Sequence, residues 1–294
     1  MSGKPIHIVL AFDGHFWAPA YALMRSICLS TKRRGDLNFH LFHQTLNDVQ
    51  RADLDKIPPE FGAALHYYDL DTNAVFLERF GNASAHQRWP LIVYGRLMID
   101  EILPPEIDRV IYLDCDMMVR APIEQLYELD LEGHPIAAVA DPWSVSIISG
   151  RDMAHKTKAD LFDPADRYFN SGMLVIDRQG WREAEPMKVY EKLVENGAAD
   201  RLYYDQDLLN LIFMDNWLAL EPIWNLLNPR STSHVHNVAI LHYTGEFRPW
   251  NLVSGVAFAG MYRHTMTNEL FYRYMRYRWK KWWIDFFKKR LGMK

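Results

Sequence analysis

An apolar run, Arg109-Val-Ile-Tyr-Leu, leads straight into Asp114-Cys115-Asp116. In an extended chain, residues two apart project to one side, so the two carboxylates point together while Cys115 turns into the core. Paired carboxylates at the end of a strand make a hard oxygen site for a divalent cation, and a diphosphate is the natural co-ligand of such a cation. Two solvated turn aspartates are an equally ordinary reading of this segment alone. A second constellation lies far downstream, His242-Tyr-Thr-Gly-Glu-Phe-Arg-Pro-Trp250. The strand Val238–Leu241 delivers His242 to a loop, Gly245 lets backbone approach a ligand closely, and Arg248 is a fixed cation suited to phosphate oxygens. An imidazole joined to two carboxylates favours Mn2+, with Mg2+ as a possible substitute, because Mg2+ and Ca2+ prefer all-oxygen shells. Most of the 12 histidines, including His7, His40, His66 and His134, read as ordinary core or surface residues.

Such groups need a scaffold, and the chain opens with one. Ile6–Phe12, Leu37–Phe42 and Ala64–Tyr68 are strand candidates. Between them, Trp17–Thr31 repeats Ala20, Leu23, Met24, Ile27 and Cys28 at helical spacing, and Leu46–Ile57 reads as a helix stopped by Pro58-Pro59. This β-α-β-α-β order predicts an α/β fold, a parallel sheet wrapped by helices. Further strands are predicted at Arg109–Leu113, Ile136–Ala140, Gly172–Asp177 and Val238–Tyr243, and helices at Leu91–Ile102, Pro186–Asn196 and Asp205–Met214. Ligands of open α/β sheets sit beyond the carboxyl ends of the strands, which is where Asp114 falls. The charged, aperiodic stretch Val145–Tyr168 is expected to be a mobile loop over the site.

Composition narrows the class. In 294 residues, 49% are hydrophobic and 24% charged, the balance of a core-forming globular chain. Two cysteines, Cys28 and Cys115, exclude a disulfide framework and a cysteine zinc site. The apolar run Ile6–Phe12 is too short for a secretory signal, and no run is long enough to cross a bilayer, so a cytoplasmic location is expected. Charge is uneven: of 33 Lys/Arg and 37 Asp/Glu, eight bases and only one acid, Asp285, lie in 276–294. In that tail Tyr272, Met275, Trp279, Trp282, Trp283, Phe286 and Phe287 recur at three- and four-residue spacing, with Arg276, Arg278, Lys280, Lys281, Lys288 and Lys289 on the flanks. This pattern suits a helix lying on an anionic membrane, here the cytoplasmic face of an inner membrane, with an ordinary amphipathic helix packed on the catalytic domain as the alternative reading. The expected division is a catalytic domain over 1–270 and a membrane-association segment over 271–294. No basic, aromatic-interleaved groove points to nucleic acid.

Five blocks together resemble glycosyltransferase family 8, in particular its lipopolysaccharide galactosyl- and glucosyltransferases, with glycogenin more distant. They are Ala11-Phe12-Asp13, Tyr94-Gly95-Arg96, Asp114-Cys115-Asp116, the pair Phe169-Asn170-Ser171-Gly172 and Asp205-Gln206-Asp207, and His242-Tyr-Thr-Gly245 through Pro249-Trp250. The resemblance implies a GT-A fold, a Rossmann-like mixed sheet flanked by helices, and transfer of a hexose from a UDP-sugar with retention of configuration. It implies a saccharide or lipid-linked oligosaccharide as acceptor. On it, Asp114, Asp116 and His242 hold Mn2+, and Asn170, Asp205 and Gln206 line the anomeric centre. Asp13 binds the uracil or ribose side, Arg96 and Asp141 the sugar hydroxyls, and Gly245 and Arg248 the phosphates. Two positions depart from the family pattern: Arg248 stands where lysine is frequent, and His15 where asparagine is frequent. On the residues alone, a metal-dependent phosphohydrolase and a non-catalytic nucleotide-sugar-binding protein are the rival readings. Asp205 also reads as a helix N-cap, Arg96 as a surface helix charge and Asp13 as a turn residue.

Overall fold

The computed structural model describes residues 3–80, 91–141, 167–199, 202, 204–214, 216–230 and 237–291. Its centre is a seven-stranded sheet in the order β3-β2-β1-β4-β7-β6-β8, where β1 is Ile6–Asp13, β2 Leu37–Gln44, β3 Ala64–Asp69, β4 Arg109–Leu113, β6 Ile136–Ala140, β7 Phe169–Asp177 and β8 Leu218–Leu220. From β3 to β4 the strands are parallel, as the alternating strand–helix order predicts. β7 then runs antiparallel to both β4 and β6, so the sheet is mixed. Beside it lies a small sheet of β5 (Met117–Val119), β10 (Ile240–His242) and β9 (Leu226–Leu227), in the order β5-β10-β9.

Strand alternation sets the two cores. Ile6, Ile8, Leu10 and Phe12 of β1 join Ile111 and Leu113 of β4 in one buried cluster, while Val9, Val110 and Tyr112 face the other. Each strand is apolar on both sides because helices cover both faces of the sheet. Cys115 keeps the parity of Leu113 and is buried in the first cluster, as expected, so Asp114 and Asp116 fall on the side of Tyr112. Both cysteines are free, and burial raises the thiol pKa of Cys28 to about 12.

Several boundaries differ from the sequence reading, each for a local reason. Pro58-Pro59 does not stop a helix. Asp48–Leu54 is capped by Asn47, whose side chain accepts from the Gln50 N–H, and a new helix, Ile57–Phe61, starts with the prolines in its first turn. Proline suits that turn because its missing N–H has no intrahelical partner there. Leu91–Met98 is a 3₁₀ helix, continued by a short α-helix over Ile99–Ile102. Gly95 allows this segment to press on the sheet, since a Cβ there would stand 3.3 Å from Leu70 Cδ1 and 3.7 Å from Ala11 Cβ. The expected loop over Val145–Tyr168 lies outside the described residues except for Arg167 and Tyr168.

The C-terminal helix spans Asn268–Leu291 and has two halves. In the first, Leu270, Phe271 and Tyr274 are buried, the Tyr274 hydroxyl donates to the His15 carbonyl at 3.0 Å, and Arg278 Nη1 donates to Asn251 Oδ1 at 2.8 Å. Trp17 stacks edge-on against Tyr274 and Tyr277. From Trp279 onward the large apolar side chains are exposed, including Trp282, Trp283, Ile284, Phe286 and Phe287. Among the described residues, no helix is long and apolar enough to cross a membrane.

Candidate active site

Asp114 leaves β4 and its N–H donates to the Gly172 carbonyl at 2.8 Å, tying it to β7. Two residues on, Asp116 is fixed from its backbone, whose carbonyl accepts from the Tyr243 N–H at 2.9 Å. The antiparallel pairing of β5 with β10 places His242 opposite Met117. These ladders bring together three residues that are far apart in sequence. The ligand atoms of Asp114, Asp116 and His242 all lie within 4.8 Å of one another, with His242 Nε2 3.1 Å from Asp116 Oδ1 and 3.8 Å from Asp114 Oδ2. Two carboxylates and one imidazole gathered in this way suit a divalent cation.

The surrounding charges keep Asp116 ionised. Burial would push the Asp116 carboxyl up, but the His242 imidazole and the Arg248 guanidinium outweigh it and hold it at about 2. Arg248 Nη1 lies 2.5 Å from Asp116 Oδ2 and also donates to the Tyr243 carbonyl. Arg96 is only 4% exposed, so it is not a surface helix charge. Its Nη2 lies 2.8 Å from Asp114 Oδ1, its Nε 3.0 Å from Asp205 Oδ2, and its Nη1 donates to the Ser171 carbonyl at 2.7 Å. The Tyr112 ring sits 4.2 Å beneath the guanidinium, and the Tyr112 hydroxyl donates to Asp114 Oδ1 at 3.0 Å. Burial disfavours the charge on Arg96, yet Asp114 and Asp205 reverse that and raise its pKa. Asp205 is raised by burial, with Arg96 opposing and Asp114 adding like-charge repulsion.

A polar cluster adjoins the carboxylates. β7 pairs with β6 as Asn170↔Val139 and then Leu174↔Ala138, so Ser171, Gly172 and Met173 bulge out of that ladder. Bulges free backbone groups and re-aim side chains next to sites. Here the Ser171 N–H donates to Gln206 Oε1 at 3.2 Å and the Gly172 N–H to Asn170 Oδ1 at 3.1 Å. Asn170 Nδ2 donates to Gln206 Oε1 at 3.0 Å, and Gln206 Nε2 lies 3.3 Å from both Asp141 Oδ2 and the Tyr168 hydroxyl. Gly172 is required where it is, because a Cβ there would stand 2.3 Å from His242 Cε1 and 2.7 Å from Asp114 Oδ2.

Of the residues singled out from sequence, Asp114, Asp116, His242, Arg248, Arg96, Asn170, Asp205, Gln206 and Asp141 form one continuous network. Asp205 lies in the first turn of the helix Tyr204–Phe213, where its carboxylate meets Arg96 and the Ser171 hydroxyl instead of capping the helix. Asp13 ends β1 and its Oδ1 accepts from the His15 N–H at 2.8 Å, a turn contact. Along with Asp114 and Asp116 it raises the Cys115 thiol, although burial is the larger cause. Gly245 packs close to Asn228, where a Cβ would stand 2.6 Å from Oδ1. Asn225 and Tyr168 belong to the network and carry no charge or motif signal of their own, and Ser171, which lies inside one of the motif blocks, joins it as well.

A mixed sheet flanked by helices, with two carboxylates and a histidine gathered at the strand ends, defines a GT-A type enzyme. The sequence profile of glycosyl transferase family 8 matches residues 7–253, and the chain belongs to that family of glycosyltransferases. General stress protein A of Bacillus subtilis is 26% identical over 280 residues, covering 89% of this chain and 93% of that one. Lipopolysaccharide 1,2-glucosyltransferase of Escherichia coli K12 is 24% identical, covering 84% of this chain and 73% of that protein. Among solved structures, the galactosyltransferase LgtC in complex with donor and acceptor sugar analogues superposes with a TM-score of 0.71 at 24% identity, over 89% of this chain and 95% of that one.

Proposed function

We propose that the chain moves a hexose, galactose or glucose, from a UDP-sugar to a hydroxyl of a saccharide acceptor with retention of configuration, using Mn2+ or, as a substitute, Mg2+. The observation that carries this is the placing of Asp114, Asp116 and His242 beside Asn170, Gln206 and Asp141 in one hydrogen-bonded network. The E. coli relative is a lipopolysaccharide glucosyltransferase and LgtC a galactosyltransferase, which supports a lipopolysaccharide or other lipid-linked oligosaccharide as acceptor.

When bound, the cation would neutralise charge on the departing diphosphate. The protein's own groups do the rest. Arg248 lies against Asp116 and is placed to move onto a phosphate oxygen, while Gly245 lets the loop approach. Asp13, at the carboxyl end of β1, faces the nucleoside. Arg96 holds Asp114 and Asp205 in register and borders the sugar with Asp141. The bond from the anomeric carbon to the phosphate oxygen breaks with its electron pair leaving on UDP. The acceptor oxygen enters from the same face, and its proton passes to the leaving phosphate. Gln206 Oε1 already accepts two hydrogen bonds and Asp205 is committed to Arg96 and Ser171, which favours same-face attack over a covalent adduct. The carbonyl dipole of Gln206 is placed to stabilise an oxocarbenium-like sugar.

The tail fits the same reading. Phe271, Tyr274 and Arg278 take one side of the C-terminal helix toward the body, and Tyr272, Trp279, Trp283 and Phe286 recur on a different side, exposed. Trp and Phe with flanking bases suit the boundary of an anionic bilayer, which supports a peripheral position on the cytoplasmic face of the inner membrane, near a lipid-linked acceptor. The test is a proton NMR spectrum of fresh product from UDP-galactose or UDP-glucose, Mn2+ and an oligosaccharide acceptor. An α-anomeric signal is expected; a β-linked product, or free sugar alone, overturns the proposal.

A further inference from the structure

Asn225 sits between a short 3₁₀ turn, Pro222–Trp224, and β9, and is 3% exposed. The parallel pairing of Leu226 with Leu241 brings it beside His242. Its Oδ1 lies 3.0 Å from His242 Nδ1, and its Nδ2 donates to Asn170 Oδ1 at 2.9 Å. The orientation of this amide is not free. Asn170 Oδ1 also accepts from the Gly172 N–H, so the atom facing Asn225 is an acceptor and Asn225 must offer nitrogen to it. Its oxygen is therefore left for His242, and His242 must carry its proton on Nδ1. That leaves Nε2, 3.1 Å from Asp116 Oδ1, as the ring atom available to a cation.

The hydrogen bonds run in one direction from end to end: His242 Nδ1 to Asn225, Asn225 Nδ2 to Asn170, Asn170 Nδ2 to Gln206, and Gln206 Nε2 to Asp141. The Ser171 and Gly172 N–H groups of the β7 bulge hold the two middle oxygens in that sense. We propose that Asn225 is a positioning residue that fixes the metal-facing nitrogen of His242 and, through Asn170, the orientation of the Gln206 amide, so that the cation site and the sugar site are set as one unit. This rests on the metal-dependent reading above. Partners of this kind orient metal-bound histidines and their removal typically lowers metal affinity 10–100-fold.

Two substitutions separate the two ends of the chain. Asn225→Leu removes both hydrogen bonds. Asn225→Asp keeps an acceptor for His242 Nδ1–H but has no donor for Asn170, so either Asn170 turns and reverses the amides beyond it or its oxygen faces a carboxylate. The experiment titrates Mn2+ alone into wild type and both variants by calorimetry, and measures kcat and KM for UDP release from UDP-galactose and UDP-glucose. Asn225→Leu is expected to bind Mn2+ about 10–100-fold more weakly. Asn225→Asp is expected to keep Mn2+ affinity within about threefold while kcat falls at least tenfold with KM little changed, the sign of an interaction used in the transition state. Wild-type Mn2+ affinity in Asn225→Leu, or wild-type kcat in Asn225→Asp, overturns the positioning role and leaves the function standing. If Asn225→Leu does not fold, the kcat of Asn225→Asp decides. A wild-type protein that takes up no Mn2+ overturns the metal reading itself, and this role with it.

Discussion

Gly172→Ala is the smallest change that reaches the centre of the site. The added Cβ would lie 2.3 Å from His242 Cε1, 2.7 Å from Asp114 Oδ2 and 3.0 Å from His242 Nδ1, so both ends of the ligand set are struck by one methyl. Restoring ordinary contact requires the imidazole or the bulged backbone to retreat by about 1 Å, whereas metal bonds tolerate roughly 0.2 Å. The ring cannot yield without straining its 3.0 Å contact with Asn225. Overpacking of this kind costs about 1–3 kcal/mol of stability, and a displaced ligand lowers metal affinity on the order of 10–100-fold. The assay pairs thermal unfolding with calorimetric Mn2+ titration of the folded variant. Gly35→Ala is the control, because nothing lies within 4 Å of a Cβ there. A Gly172→Ala protein that is destabilised yet binds Mn2+ as wild type does would refute the reasoning.

Three further outcomes are expected. Arg96→Met leaves the buried Asp205 and the part-buried Asp114 without their shared cation and should cost about 3–5 kcal/mol, the usual scale for breaking a buried pair; urea unfolding checks this, and Mn2+ should recover part of the loss by neutralising Asp114. His40 is held neutral, its pKa lowered to about 3 by burial and by His66 and His7. The unfolded chain takes up that proton near pH 6.5 and the folded chain does not. Its contribution is therefore complete above pH 6.5 and is lost as pH falls toward 3, at up to about 1.4 kcal/mol per pH unit. Urea titrations between pH 5 and 6.5 should show that slope, and His40→Gln should flatten it; an unchanged slope counts against the assignment. Truncation after Arg278 spares the contacts of Tyr274, Tyr277 and Arg278 with the body. It should keep Mn2+-dependent UDP release and abolish sedimentation with anionic liposomes at low salt; sedimentation equal to the full chain would sink the membrane proposal.

What the sequence discloses depends on how local the cause is. Asp114 and Asp116 announce themselves because an apolar strand ends in them, and β1 and β2 because each carries a run of several core residues. β5, β8 and β9 are two or three residues long and carry no period to detect; they exist because a neighbour supplies a ladder. Arg96 looks like one more helix charge until Asp114 and Asp205 are seen to close on it from β4 and a distant helix. Asn225 is an uncharged residue whose role arises only when β9 pairs with β10, so no spacing rule marks it. The tail shows the same limit: its aromatic repeat is legible throughout, but which side chains face the body depends on Trp17, Asn251 and the turn after β1.

The proposed role of a cation held by Asp114, Asp116 and His242 is to drive departure of the diphosphate from a sugar. It is tested most directly by UDP release from UDP-galactose and UDP-glucose with an oligosaccharide acceptor, comparing wild type with Asp116→Ala, in Mn2+ and in EDTA. Release is expected to depend on Mn2+ and on acceptor, to be lost in EDTA, and to fall at least about 10²-fold in the variant, the scale for removing a main electrostatic stabiliser. Full activity of Asp116→Ala in EDTA, or hydrolysis that outpaces transfer to the acceptor, would contradict it.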